Sequence, residues 1–171
     1  RAVLWRQTAD YLEFDSMQSD LTVLDGTVSS QEIRLAGATM RANAKLVLET
    51  LRQVLDDFDE ERIKDIIAAF PGSDRRFEKL REGLYSDYAH HPAEIAATIE
   101  KARELSDRVV VVYQPHQNLR QAELMQHGGY ADAFIGADLV YWVPTYLVRT
   151  DLVEGAPKVL TPADLIASLN D

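Results

Sequence analysis

The rhythm of apolar and polar positions changes twice along the chain. Over the first 36 residues, short apolar runs at 3–5, 12–14, 21–24 and 33–35 alternate with turn material such as Asp25-Gly26. Runs of that length bounded by turn residues read as strands, and their spacing predicts an antiparallel meander. From 39 to 55 the period becomes helical, with Met40, Ala44, Val47, Leu48, Leu51 and Leu55 on one face. A second helix is predicted over 60–70, with Asp59 as N-cap and Ile63, Ile66 and Ile67 turned inward.

Pro71-Gly72-Ser73-Asp74 stops the periodicity and is the predicted domain boundary. Beyond it, strand-like residues 76–80 and 84–88 lead into a helix opening at Pro92, whose apolar side carries Ile95, Ile99, Ala102 and Leu105. The unbroken apolar run 109–113 has the composition of a strand covered on both faces. A helix over 119–134, interrupted at Gly128-Gly129, precedes a strand at 139–143. A short strand at 158–160 and a helix capped by Thr161 with Pro162 at its first position complete the pattern. Strand and helix in alternation predict an α/β class with a parallel sheet.

Composition narrows the functional classes. The 171 residues carry a net charge of −10, which opposes binding to a phosphate backbone, so nucleic acid is not an expected partner. No apolar run approaches the roughly 18 residues of a membrane span. Without cysteine, thiolate metal sites and cysteine nucleophiles are excluded. The chain begins at Arg1 with no signal-peptide layout, which predicts a piece of a longer cytoplasmic protein.

Ligands of open parallel sheets sit beyond the carboxyl ends of strands, and two polar clusters are predicted there. One is Asp87-Tyr88-Ala89-His90-His91 and the other is residues 114–120, Gln-Pro-His-Gln-Asn-Leu-Arg; together they hold three of the four histidines. Asp87 could accept hydrogen bonds from a ribose diol, or it could cap the next helix. Adjacent His90 and His91 point in different directions and have no carboxylate at metal-ligand spacing, so no metal site is predicted there; orientation of a substrate carboxylate suits them better. Arg75-Arg76 could clamp a phosphate or lie solvated on the surface. Asn43 could meet an adenine edge. Neither a Gly-x-x-x-x-Gly-Lys-Ser/Thr loop nor a Gly-x-Gly-x-x-Gly turn is present, so a nucleotide would find only one wall here.

The residues Phe70-Pro71-Gly72-Ser73-Asp74-Arg75-Arg76-Phe77-Glu78-Lys79-Leu80, then Asp87-Tyr88-Ala89-His90-His91-Pro92-Ala93-Glu94-Ile95, then Gln114-Pro115-His116, resemble in order and spacing the Mur ligases that add the first amino acid to UDP-N-acetylmuramate. The resemblance implies that residues 1–71 are the α+β tail of a central ATP-binding domain. Residues 72–171 would form a Rossmann-like C-terminal domain, mostly parallel with flanking helices and truncated at its end. It further implies that Asn43 contacts adenine, Arg76 the ATP phosphates and Asp87 the ribose. His90, His91, His116 and Arg120 would surround the incoming amino acid and the acyl phosphate, with His90, His91 and Arg120 as the catalytic groups. ATP, UDP-N-acetylmuramate and L-alanine are the implied partners, with Mg2+ held by ligands upstream of Arg1 and the phosphate loop in upstream domains of the same chain. On that basis the chain alone is expected to be inactive. The pattern departs in two places: Thr39-Met40 stand where the family has His-Asn, and Gln117 follows Gln-Pro-His where an Arg is common. Rival readings are a tripeptide-recycling or folylpolyglutamate-type ligase of the same superfamily, and a non-catalytic nucleotide-binding module.

Overall fold

The computed structural model describes residues 2–14, 20–115, 128–130 and 132–143. The chain divides into two compact units, Arg1–Pro71 and Gly72–Asp171.

In the first unit, strand β1 (Ala2–Trp5) pairs in parallel with β2 (Leu21–Leu24), with Ala2 opposite Leu21 and Trp5 opposite Leu24. The expected antiparallel meander is therefore not formed. Helix α1 (Arg6–Tyr11) follows β1 directly, and a connection of this length returns the chain to the same end of the sheet. Residues 12–14, read as a strand, instead close that helix: the N–H of Leu12 donates to the Thr8 carbonyl at 3.0 Å and that of Phe14 to Ala9 at 3.0 Å. The run 33–35 is likewise a turn, in which Leu35 N–H donates to the Ile33 carbonyl at 2.8 Å. Its apolar character serves packing, since Ile33 is buried with Val28 and Ala44 against Trp5, Leu35 and Ile67. Two apolar residues flanking a charged one, as in Leu12-Glu13-Phe14 and Ile33-Arg34-Leu35, look alike in sequence whether they extend or turn.

Helix α2 (Ala38–Val54) buries Ala44 and Leu48 on the predicted face. It also buries Arg41, whose guanidinium donates to the carbonyls of Val28 at 2.8 Å and Leu35 at 3.1 Å, meeting backbone acceptors that the loop cannot pair by itself. Helix α3 (Glu60–Ala68) starts at Asp59, whose carboxylate accepts the Arg62 N–H at 3.1 Å, and places Glu60 and Glu61 at the positive end of its dipole.

The second unit opens with an antiparallel hairpin of β3 (Glu78–Arg81) and β4 (Leu84–Ser86). Helix α4 (Pro92–Leu105) then leads to β5 (Val110–Tyr113), which pairs in parallel with β6 (Leu139–Trp142). Alternation along these two strands is clean. Val111, Tyr113, Val140 and Trp142 face a core of Ile95, Ile99, Val109, Tyr130, Ala133 and Phe134. Val110 and Val112 on the other face are 46% and 69% exposed, so among the described residues the expected cover on both faces is not met. Of the predicted 119–134 helix, residues 128–130 and 132–134 are described; they lie in turns, with Ala133 N–H donating to the Tyr130 carbonyl at 3.1 Å, and the turn that follows has Ala137 N–H donating to Phe134 at 3.1 Å. Gly128 and Gly136, at φ of 69° and 95°, account for the break. The calls at 158–160 and from Thr161 onward lie outside the described residues.

Gly136 permits the close approach of the last turn to α4: a Cβ there would lie 3.3 Å from Ile99 Cγ2, on a backbone that L side chains rarely adopt. Gly136→Ala should therefore lower the unfolding free energy by about 1–3 kcal/mol in urea denaturation. An unchanged midpoint would contradict this packing.

Candidate functional site

Between Gly72 and Phe77 the backbone turns sharply, with Arg75 and Phe77 at φ of 56° and 54°. Two non-glycine residues in the left-handed region cost free energy and persist only where neighbours hold them. Three contacts do so here. Arg75 N–H donates to the Glu78 carboxylate at 3.0 Å, the Arg75 carbonyl accepts the Tyr88 N–H at 2.8 Å, and Phe77 N–H donates to Asp87 Oδ2 at 2.7 Å. The Phe77 ring stacks on Tyr85 with centroids 4.4 Å apart and carries Lys101 Nζ 4.5 Å above its centre. Partial burial lowers the affinity of Lys101 for its proton, and the Asp87 charge works in the opposite direction.

Asp87 follows β4, a strand of the hairpin and not of the parallel pair, which corrects the expectation that it ends a parallel strand. Its second oxygen accepts the Ala89 N–H at 2.7 Å. The carboxylate thus bridges two backbone donors on either side of the hairpin. An ionised carboxylate offers about four acceptor positions, so about two remain. Asp87 also lines a cleft of about 470 Å3, together with Phe77, Tyr85, Ile99 and Val112.

The alternative that Asp87 caps the next helix does not hold, because His91 has that place. Its Nδ1 accepts the Ala93 N–H at 3.3 Å, Pro92 occupies the first turn, and Glu94 closes a capping box. An accepting Nδ1 leaves the neutral imidazole proton on Nε2. His90 has the opposite tautomer. Its Nδ1 lies 3.1 Å from the Tyr88 carbonyl and 3.4 Å from Glu94 Oε2, both acceptors, so Nδ1 carries hydrogen and the neutral ring presents a lone pair at Nε2. The two neighbours therefore present different faces: His91 offers an Nε2 donor, His90 an Nε2 acceptor.

Glu94 organises this turn. Its Oε2 accepts the N–H groups of His90 and His91 at 3.2 and 3.3 Å, and its Oε1 lies 3.8 Å from the exposed Arg76 guanidinium. Burial pushes its carboxyl up, but the two backbone donors, the imidazole of His90 when it is protonated and the charge of Arg76 outweigh this and hold it below the ordinary glutamate value. Tyr130, buried in the core, donates its hydroxyl proton to the His90 carbonyl at 2.6 Å and so brings the turn to the carboxyl end of β5.

Arg76, Asp87, His90 and His91 are thus gathered around one turn. Asn43 stands exposed on α2 of the other unit, and His116 and Arg120 lie outside the described residues. Among the described residues no group of three His, Asp or Glu side chains is placed to hold a metal ion. Three contributors were missed in the sequence: Glu94, Lys101 and Tyr130. Only Glu94 left a signal, standing three residues after a capping position, and the signal was obscured because His in place of Ser or Thr caps the helix.

With this geometry in hand, the sequence profile of the family described as Mur ligase, glutamate ligase domain matches residues 75–170. The chain belongs to the Mur ligase family. The match opens inside the strained turn at Arg75 and takes in Asp87, His90, His91 and Glu94. The chain is similar to the UDP-N-acetylmuramate--L-alanine ligase of Synechococcus sp., with 38% identity over 131 residues, 74% of this chain and 27% of that protein. It resembles the ligase of the same name from Roseobacter denitrificans at 32% identity, over 99% of this chain and 35% of the relative, and that of Jannaschia sp. at 31%, over 89% and 33%. The chain spans about a third or less of the length of these Mur ligases. Among the described residues no helix is long and apolar enough to cross a membrane.

The lowered Glu94 pKa sets a pH dependence. The folded chain binds this proton more weakly than the unfolded chain, so the carboxylate's contribution is complete above the ordinary glutamate pKa of about 4.3 and is lost as pH falls through the lower folded value. Glu94→Gln should cost about 0.5–1 kcal/mol at pH 7, the scale of a partly exposed cap, with the difference shrinking toward pH 3. Urea unfolding at several pH values measures it, and a difference constant with pH would contradict the assignment.

Proposed function

We propose that this chain forms one wall of an ATP-dependent ligase that joins L-alanine to UDP-N-acetylmuramate in the cytoplasm. The observation that carries this reading is the Asp87 carboxylate, fixed by two backbone donors with two acceptor positions to spare, beside a helix N-terminus bearing two histidines of opposite tautomer. The names of the relatives supply the substrates.

In this reading residues 1–71 are the tail of the central ATP-binding domain, and Asn43 on α2 meets the adenine edge. Asp87 accepts the ribose diol, a role for which its orientation is already fixed before ligand arrives. Arg76 faces the phosphates with its guanidinium exposed. ATP converts the muramate carboxylate to an acyl phosphate. The alanine nitrogen then attacks the acyl carbon, the amide C–N bond forms, and the C–O bond to phosphate breaks with its electrons leaving on phosphate. The proton lost from the amine needs an acceptor, and the Nε2 lone pair of neutral His90 is placed to provide one. The Nε2–H of His91 serves as a donor to an anionic oxygen, either the alanine carboxylate or the oxygen of the tetrahedral intermediate. His116 and Arg120 complete the set as substrate-binding groups. Mg2+ would neutralise phosphate charge, and no step here runs through it.

Two outcomes test the reading. The isolated 171-residue chain should release no phosphate from ATP with UDP-N-acetylmuramate and alanine, whereas the ligase containing it should. Within that ligase, Asp87→Ala should raise KM for ATP roughly tenfold or more, since hydrogen bonds to a charged acceptor are worth about 1.5–3 kcal/mol. Phosphate release by the isolated chain, or an Asp87 variant with unaltered KM for ATP, would sink it.

A further inference from the structure

Three of the polar groups of His90 have their partners within the protein. Its N–H donates to Glu94, its Nδ1 faces the Tyr88 carbonyl, and its own carbonyl accepts the Tyr130 hydroxyl at 2.6 Å. The first two partners lie within four residues of His90 and move with the turn. Tyr130 does not: it comes from forty residues away and is anchored in the core with Ile95, Ile99, Tyr113 and Phe134.

We propose that Tyr130 is a positioning residue, whose buried hydroxyl latches the His90 carbonyl to the end of β5 and so sets the direction in which His90 Nε2 meets the amino-acid substrate. The inference rests on the ligase reading for the identity of that substrate.

Packing alone does not account for the hydroxyl. The Tyr130 ring is 3% exposed, and a phenylalanine would fill the same space without bringing a polar oxygen out of water. The hydroxyl offsets that cost by meeting the His90 carbonyl at 2.6 Å. The peptide bond bearing that carbonyl links His90 to His91, so one bond orients both imidazoles. Behind it stands Tyr113, whose hydroxyl is buried in the same core and interacts with that of Tyr130. Burial raises both phenols above their ordinary value; at Tyr130 the interaction with the Tyr113 hydroxyl opposes this and the Glu94 charge adds to it, and the net shift is upward, so the latch keeps its proton across the working range of pH.

The test uses the full-length ligase with Tyr130→Phe, which keeps the ring and removes only the oxygen. Hydrogen exchange of the peptide covering residues 88–93 should accelerate about tenfold, while peptides from β1 and α2 stay unchanged. KM for alanine should rise about three- to tenfold, with KM for ATP within twofold of the unaltered enzyme. Unchanged exchange at 88–93 would overturn the latch. Faster exchange with an unaltered alanine KM would overturn the positioning role and leave Tyr130 as a packing residue. Should the unaltered enzyme show no alanine-dependent turnover, the ligase reading fails by itself, and the exchange result alone then decides whether the latch exists.

Discussion

A carboxylate that accepts two backbone N–H groups from segments ten residues and two residues away acts as a staple, and Asp87 holds the turn of the second unit's candidate site in this way. On one side it grips Phe77, at the end of a turn in which two non-glycine residues sit at positive φ; on the other it grips Ala89, two residues before the helix cap. Removing it would free both ends at once. The strained turn would lose the partner that offsets its cost, and Arg76 would lose the backbone that aims it. Backbone donors fix the carboxylate's direction without long flexible side chains, so little ordering remains to be done when a ligand arrives.

Around that staple the site is built from groups whose roles are set by their neighbours. His90 and His91 are adjacent and chemically identical, yet the Tyr88 carbonyl and the Glu94 carboxylate force a donor at Nδ1 of the first, while the Ala93 N–H demands an acceptor at Nδ1 of the second. Glu94 joins the cap, the imidazole and Arg76 in one carboxylate. Tyr130 ties the same turn to the core at the end of β5. Electrostatics here are local: most of the ion pairs are exposed and add little stability, and orientation is what they provide.

Much of this was legible in the sequence, and the exceptions share a cause. Helices α2, α3 and α4 announced themselves by period, by the N-cap Asp59 and by Pro92 in the first turn, because those signals are local, although Ile66, expected to turn inward on α3, is exposed. The strand-like runs at 12–14 and 33–35 misled because their alternating apolar residues lie in turns, exposed at Leu12 and Phe14 and buried at Ile33, which a short window cannot distinguish from extension. The parallel pairing of β1 with β2 followed from the α1 crossover, and that six-residue helix is too short to show a helical period in sequence. In the site, Asp87, His90, His91 and Arg76 could be named from their motif. The contributions of Lys101 and Tyr130 could not, since each reaches the site from a distant stretch of chain and neither belongs to a short pattern.

The most direct test of the central claim is residue-resolved amide hydrogen exchange of Phe77 and Ala89 in the nucleotide-free protein. If Asp87 staples the turn before any ligand is present, both amides exchange at least tenfold more slowly than exposed loop amides, and both lose that protection together in Asp87→Asn. Exchange of either amide at the rate of an open loop, or protection that survives the substitution, would contradict the account.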